Sequence, residues 1–145
     1  MTRYERLAQI INDNDYKKIA EIGVWQGETY KYLTSNCKID EYYAIDHDPK
    51  CDKIYGTNFM IMESVQASKQ IQDEFLDLVF IDADHQRKSV HSDIINWFPK
   101  VRNGGMICGH DYDNPEHEGV RKAVDEIFNS SVMVDEDCFM WMVKK

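Results

Sequence analysis

The chain alternates short apolar runs with amphipathic stretches. Tyr4, Leu7, Ala8 and Ile11 recur at helical spacing, and Asn12-Asp13-Asn14-Asp15 ends that helix. A strand is predicted over 18–24 and a helix over roughly 28–36. Tyr42-Tyr43-Ala44-Ile45-Asp46 reads as a second strand, stopped by His47-Asp48-Pro49. Phe59 to Met62 is a short third strand, followed by a helix near 65–73. Leu78-Val79-Phe80-Ile81, led into by Leu76 and Asp77, is continuously apolar, as a central parallel strand covered on both faces should be. Val90, Ile94, Trp97 and Phe98 mark one face of a helix. Asn103-Gly104-Gly105 reads as a turn into a fifth strand, Met106 to His110. Val120, Ala123, Val124, Ile127 and Phe128 give another amphipathic helix. Val132 to Val134 and Phe139 to Val143, joined by a short acidic turn, read as a closing hairpin.

Alternating strands and helices imply a parallel sheet with helices on both faces. Ligands in such sheets bind at the carboxyl ends of the strands. The polar residues that carry chemistry fall there: Glu21 and Gly23, Asp46, Glu63-Ser64, Asp82-x-Asp84-His85, and His110-Asp111.

Composition narrows the reading. At 145 residues one domain over 1–145 is expected, and 43% apolar content excludes a disordered chain. The net charge of −9 argues against a nucleic-acid or anionic-membrane partner, which calls for clustered Lys and Arg. No apolar run is long enough for a membrane span, and the N-terminal residues do not form a signal peptide. The four cysteines are far apart and form no C-x-x-C pair, which suits reduced thiols in the cytoplasm.

The first strand ends in Glu21-x-Gly23-x-x-x-Gly27-x-Thr29. Glycine lets the backbone turn sharply and approach a ligand closely. The spacing is neither the G-x-G-x-x-G of dinucleotide binders nor a P-loop, which counts against an NAD-dependent oxidoreductase. Asp46 ends the second strand, where a carboxylate can accept both hydroxyls of a ribose; the plainer alternative is a solvated acid. Glu63-Ser64 falls where an adenine would lie, and Ser64 also suits a helix N-cap.

The glycine turn resembles motif I of class I S-adenosylmethionine (SAM) methyltransferases. "FIDADH" at 80–85, Gly104-Gly105 and Gly109-His110-Asp111-Tyr112 extend the resemblance to the small sugar and catechol-type O-methyltransferases, over about residues 18 to 143. The resemblance implies a doubly wound Rossmann-like α/β fold, a seven-stranded sheet of order 3-2-1-4-5-7-6 with strand 7 antiparallel. It implies SAM as cofactor, held by Glu21, Gly23 and Gly27 at the methionine end, Asp46 at the ribose, Glu63 and Ser64 at the adenine, and Asp82 beside them. Metal-using relatives hold Mg²⁺ at positions matching Asp82, His110 and Asp111. His110 departs from that pattern and would suit Mn²⁺ or Zn²⁺ better.

Asp84 and His85 are the candidate catalytic bases for a hydroxyl acceptor, since an imidazole with a pKa of about 6.5 suits proton removal near neutrality. His47, His91 and His117 read as surface or supporting residues. Trp25 reads either as a flank of the cofactor or as a core aromatic, and the Tyr4/Leu7/Ile11 stripe as core. The expected function is methyl transfer to a hydroxyl of a small molecule or sugar. The alternative is a non-catalytic SAM- or nucleoside-binding module. Acceptor recognition falls to the loop from Tyr112 to Gly119 or to a second subunit of a homo-oligomer.

Overall fold

The computed structural model describes residues 1–51 and 58–145. Helix α1 (Arg3–Asn14) opens with a capping box, in which Thr2 and Glu5 satisfy each other's backbone N–H groups. Asp15, at φ 54°, ends it in the left-handed region. The remaining elements alternate: β1 (Lys18–Ile22), α2 (Glu28–Asn36), β2 (Glu41–Asp46), β3 (Asn58–Ile61), α3 (Ser64–Ser68), β4 (Leu76–Ile81), α4 (Arg87–Trp97), β5 (Val101–Gly109), α5 (Glu118–Phe128), β6 (Met133–Asp135) and β7 (Met140–Lys144).

The strands form one sheet in the order β3-β2-β1-β4-β5-β7-β6. Strands β1 to β5 pair in parallel, and β7 runs antiparallel to both β5 and β6. This is the expected topology. Every position of β4 is buried, because alternate side chains enter two cores. Leu78 and Phe80 pack with Leu7, Ile11 and Leu33 of α1 and α2. Val79 and Ile81 pack with Ile94, Trp97 and Val124 of α4 and α5. The Tyr4/Leu7/Ile11 stripe is core at Leu7 and Ile11.

Four local readings change. Strand β1 stops at Ile22 rather than residue 24, because Gly23 turns the chain at φ +92°. Strand β5 begins at Val101 and runs through Asn103-Gly104-Gly105 instead of turning there. The register with β4 shifts between Leu76 and Leu78, so these residues form a bulge within the strand. Helix α3 is shorter than 65–73. Ser64 is not its N-cap; Glu63 occupies that position, and the Ser64 hydroxyl donates to Asp93 instead.

The strand ends are locked together where the site lies. Gly23 N donates to Ile45 O, Asp82 N to Ile22 O, and His110 N to Ile81 O. The loops after β1, β2, β4 and β5 are therefore held in fixed relation.

Candidate active site

A cleft of about 890 Å³ opens at the carboxyl ends of the strands, a size that suits a small-molecule ligand. Gly23, Trp25, Asp46, Ser64, Asp82 and Asp93 all line it. A Cβ at Gly23 would stand 2.2 Å from the carbonyl oxygen of Asp82, so the β1 turn lies directly against the end of β4. Gly27, at φ 75°, is the N-cap of α2. The Trp25 ring is 68% exposed, which sets aside its reading as a core aromatic.

Glu21 sits beneath this turn, buried at 1% exposure. Burial pushes its carboxyl up to about 8, against hydrogen bonds from Thr29 and Tyr42. It shapes the turn from inside rather than lining the cleft. Asp46 reaches across from β2. Its Oδ2 accepts from Val24 N (2.9 Å) and Trp25 N (3.1 Å), and its Oδ1 from Asp48 N (2.9 Å). These N–H groups hold its carboxyl below the usual range even though burial opposes that. Asp46 both lines the cleft and fixes the glycine turn. At the far side, Ser64 and the buried Asp93 meet, and burial raises the Asp93 carboxyl to about 6.

The second part of the site is the rim of β4 and β5. Asp111 Oδ2 lies 2.8 Å from His85 Nε2 and 3.2 Å from His110 Nδ1. Asp82 Oδ1 lies 3.9 Å from each of the same nitrogens. The carboxylates of Asp82 and Asp111 raise the pKa of His85 against its partial burial. Asp111 is depressed despite desolvation by hydrogen bonds from His110 and Asn114. Asp84 faces elsewhere: Ser89 Oγ donates to its Oδ2 (2.7 Å) and Gln86 N to its Oδ1 (3.1 Å). These bonds lower its pKa, Ser89 foremost, and tie the entry of α4.

Three more residues reach the site; sequence reasoning gave His117 a surface or supporting place and did not place Arg3 or Asp93 there. The His117 ring stacks on His85, centroids 3.8 Å apart and planes 16° apart. Arg3 Nε lies 3.7 Å from Asp82 Oδ2, carried there by α1. Asp93 reads from its helix as an ordinary polar position, yet it is 6% exposed and lines the cleft. Asp93 had a signal of its own: it falls between Val90 and Ile94 near the buried face of α4.

A Mg²⁺ ion is the group this fold family implies at the rim. Mg²⁺ takes oxygen ligands in near-octahedral geometry. Asp82, His110 and Asp111 cluster closely enough to share an ion, but their donor set includes an imidazole, and the nearest further donor is the imidazole of His85. This set does not fit Mg²⁺.

A sheet of this order, with a glycine turn and an acid at the ends of β1 and β2, defines the class of SAM-dependent methyltransferases. Residues 20–112 match the family described as a methyltransferase domain, and the chain belongs to that family. Solved structures share the fold at low identity. An O-methyltransferase from Bacillus cereus in complex with S-adenosylhomocysteine (SAH) is 15% identical, with TM-score 0.71 over 99% of this chain and 80% of that one. The O-methyltransferase NovP is 16% identical, with TM-score 0.74 over 99% and 79%. MycE of the mycinamycin biosynthetic pathway, in complex with Mg, SAH and mycinamycin VI, is 18% identical, with TM-score 0.73 over 98% of this chain. The chain spans 48% of MycE. No curated protein matches the chain. Among the described residues no helix is long and apolar enough to cross a membrane.

Proposed function

We propose that the chain transfers a methyl group from SAM to a hydroxyl of a small molecule, with His85 as the base. The observation that carries this is the 2.8 Å pairing of His85 with Asp111 at the strand end next to the cleft. Asp111 orients the ring, and the neighbouring carboxylates raise its basicity. Of the two candidate bases, Asp84 is the weaker, since both its oxygens already accept hydrogen bonds. Its part is to position α4 and one wall of the cleft.

SAM supplies the electrophilic methyl group when bound. Gly23 and Gly27 give the main chain that its methionine end approaches, and Glu21 supports that turn from beneath. Asp46 is the ribose acceptor, since its carboxylate lines the cleft at the end of β2. Glu63, Ser64 and Asp93 border the adenine end, and Asp82 stands between cofactor and base. Transfer is an in-line displacement, so alignment of acceptor oxygen, methyl and sulfur supplies much of the rate. The SAH-bound O-methyltransferase from Bacillus cereus and the O-methyltransferase NovP, which share the fold, support the hydroxyl as acceptor.

The test is single-turnover transfer of labelled methyl from SAM across a panel of phenols, sugars and other hydroxylated acceptors. Transfer to one of them, lost in His85→Ala, supports the reading. Tight SAH binding with no transfer to any acceptor would favour a non-catalytic binding module instead.

A further inference from the structure

The rim that disagrees with Mg²⁺ has a geometry of its own. Asp111 Oδ2 stands 2.8 and 3.2 Å from His85 Nε2 and His110 Nδ1, and Asp82 Oδ1 stands 3.9 Å from both. A tetrahedral ion with ligands at about 2.1 Å keeps those ligands about 3.4 Å apart. These four of the six separations straddle that value, and the donors gather as two sets that share Asp111: Asp82, His110 and Asp111, and His85, Asp111 and His117. Side-chain exposure of 36% at His85 leaves an entry from solvent.

We propose that these four side chains form a two-imidazole, two-carboxylate site that captures a borderline transition metal ion such as Zn²⁺ or Co²⁺ in preference to Mg²⁺, with His85 as a ligand. Imidazole donors favour such ions, and Mg²⁺ gains little from nitrogen. The surroundings fit a coordinating role. His117 stacks behind His85 and limits its swing, while Arg3 faces the Asp82 oxygen that does not point to the histidines. The inference deepens the methyltransferase reading and rests on it for one consequence only. With Nε2–H paired to Asp111, the nitrogen that accepts the acceptor's proton is Nδ1; an ion bound at Nε2 shifts the ring proton to Nδ1 and removes that lone pair. Zn²⁺ would then switch methyl transfer off rather than assist it.

The test is titration of the metal-free chain with Co²⁺, followed by visible absorption, with SAH binding measured in parallel by calorimetry. The expected result is one Co²⁺ per chain with intense, tetrahedral-type bands. Zn²⁺ displaces it, and millimolar Mg²⁺ does not. His85→Ala and His110→Ala each weaken Co²⁺ binding at least tenfold while SAH still binds, which shows that the variants are folded. Weak octahedral-type bands, displacement by Mg²⁺, or unchanged Co²⁺ affinity in His85→Ala would overturn the proposal. A chain that takes Co²⁺ as expected but does not bind SAH would keep the metal site and remove the methyltransferase reading.

Discussion

His85 and Asp111 lie on different strand-end loops, 26 positions apart in the chain, and their Nε2 and Oδ2 atoms meet at 2.8 Å. The carboxylate does for the imidazole what an orienting acid does for any general base: it fixes the ring and stabilises the protonated form. His85→Ala should slow single-turnover methyl transfer by about 10²–10⁴-fold, the usual range for a general base. SAH affinity should change little, because the base acts on the acceptor. Asp111→Asn should give a smaller loss in the same step. Equal losses in SAH binding and turnover would show that His85 serves the cofactor instead.

Much of this was legible in the chain. Leu78 to Ile81 announced a central strand by being apolar at every position, and burial on both faces is why. The strand order came with the resemblance to methyltransferases, and the pairing bears it out. Asn103-Gly104-Gly105 read as a turn because local chemistry favours one. Backbone bonds from Gly104 N to Lys145 O and from Lys145 N to Gly105 O override it, and a Cβ at Gly105 would stand 2.6 Å from Asp77 O, so glycine serves close strand packing there. Ser64 was read as a cap because capping is a local rule, whereas its partner Asp93 is 29 residues away. Arg3 was invisible for the same reason: its contact is made by tertiary packing and leaves no periodic trace.

Glu21 links the site to stability. Its folded-state pKa of about 8 lies above the ordinary value of 4.5, so folding takes up a proton between those limits. The contribution is fully present below about pH 4.5 and is lost as pH rises through about 8. Glu21→Gln removes that dependence. Thermal melts from pH 5 to 9 should show the variant gaining on the wild-type chain up to about pH 8 and levelling off above it. A constant difference across the range would mean that Glu21 is ionised in the folded protein.

Gly23 combines a positive φ of +92° with no room for a side chain, since a Cβ would sit 2.2 Å from Asp82 O. Gly23→Ala must displace backbone at the junction of β1 and β4. The expected result is a lower melting temperature and loss of measurable SAH binding. A stable variant with normal affinity would show that the cofactor does not lie on this turn.

Asp46 offers the most direct test of the central claim, that the cleft between the glycine turn and β4 holds SAM. Its carboxylate lines the cleft and also holds Val24 and Trp25. Hydrogen bonds to a charged acceptor contribute roughly 1.5–3 kcal/mol each, so losing one weakens binding about tenfold or more. The measurement is calorimetry of the wild-type chain and Asp46→Ala with SAH, with NAD as control. The account predicts one SAH per wild-type chain, at least tenfold weaker binding in Asp46→Ala, and no heat from NAD. Silence with SAH, or NAD binding in its place, would contradict it.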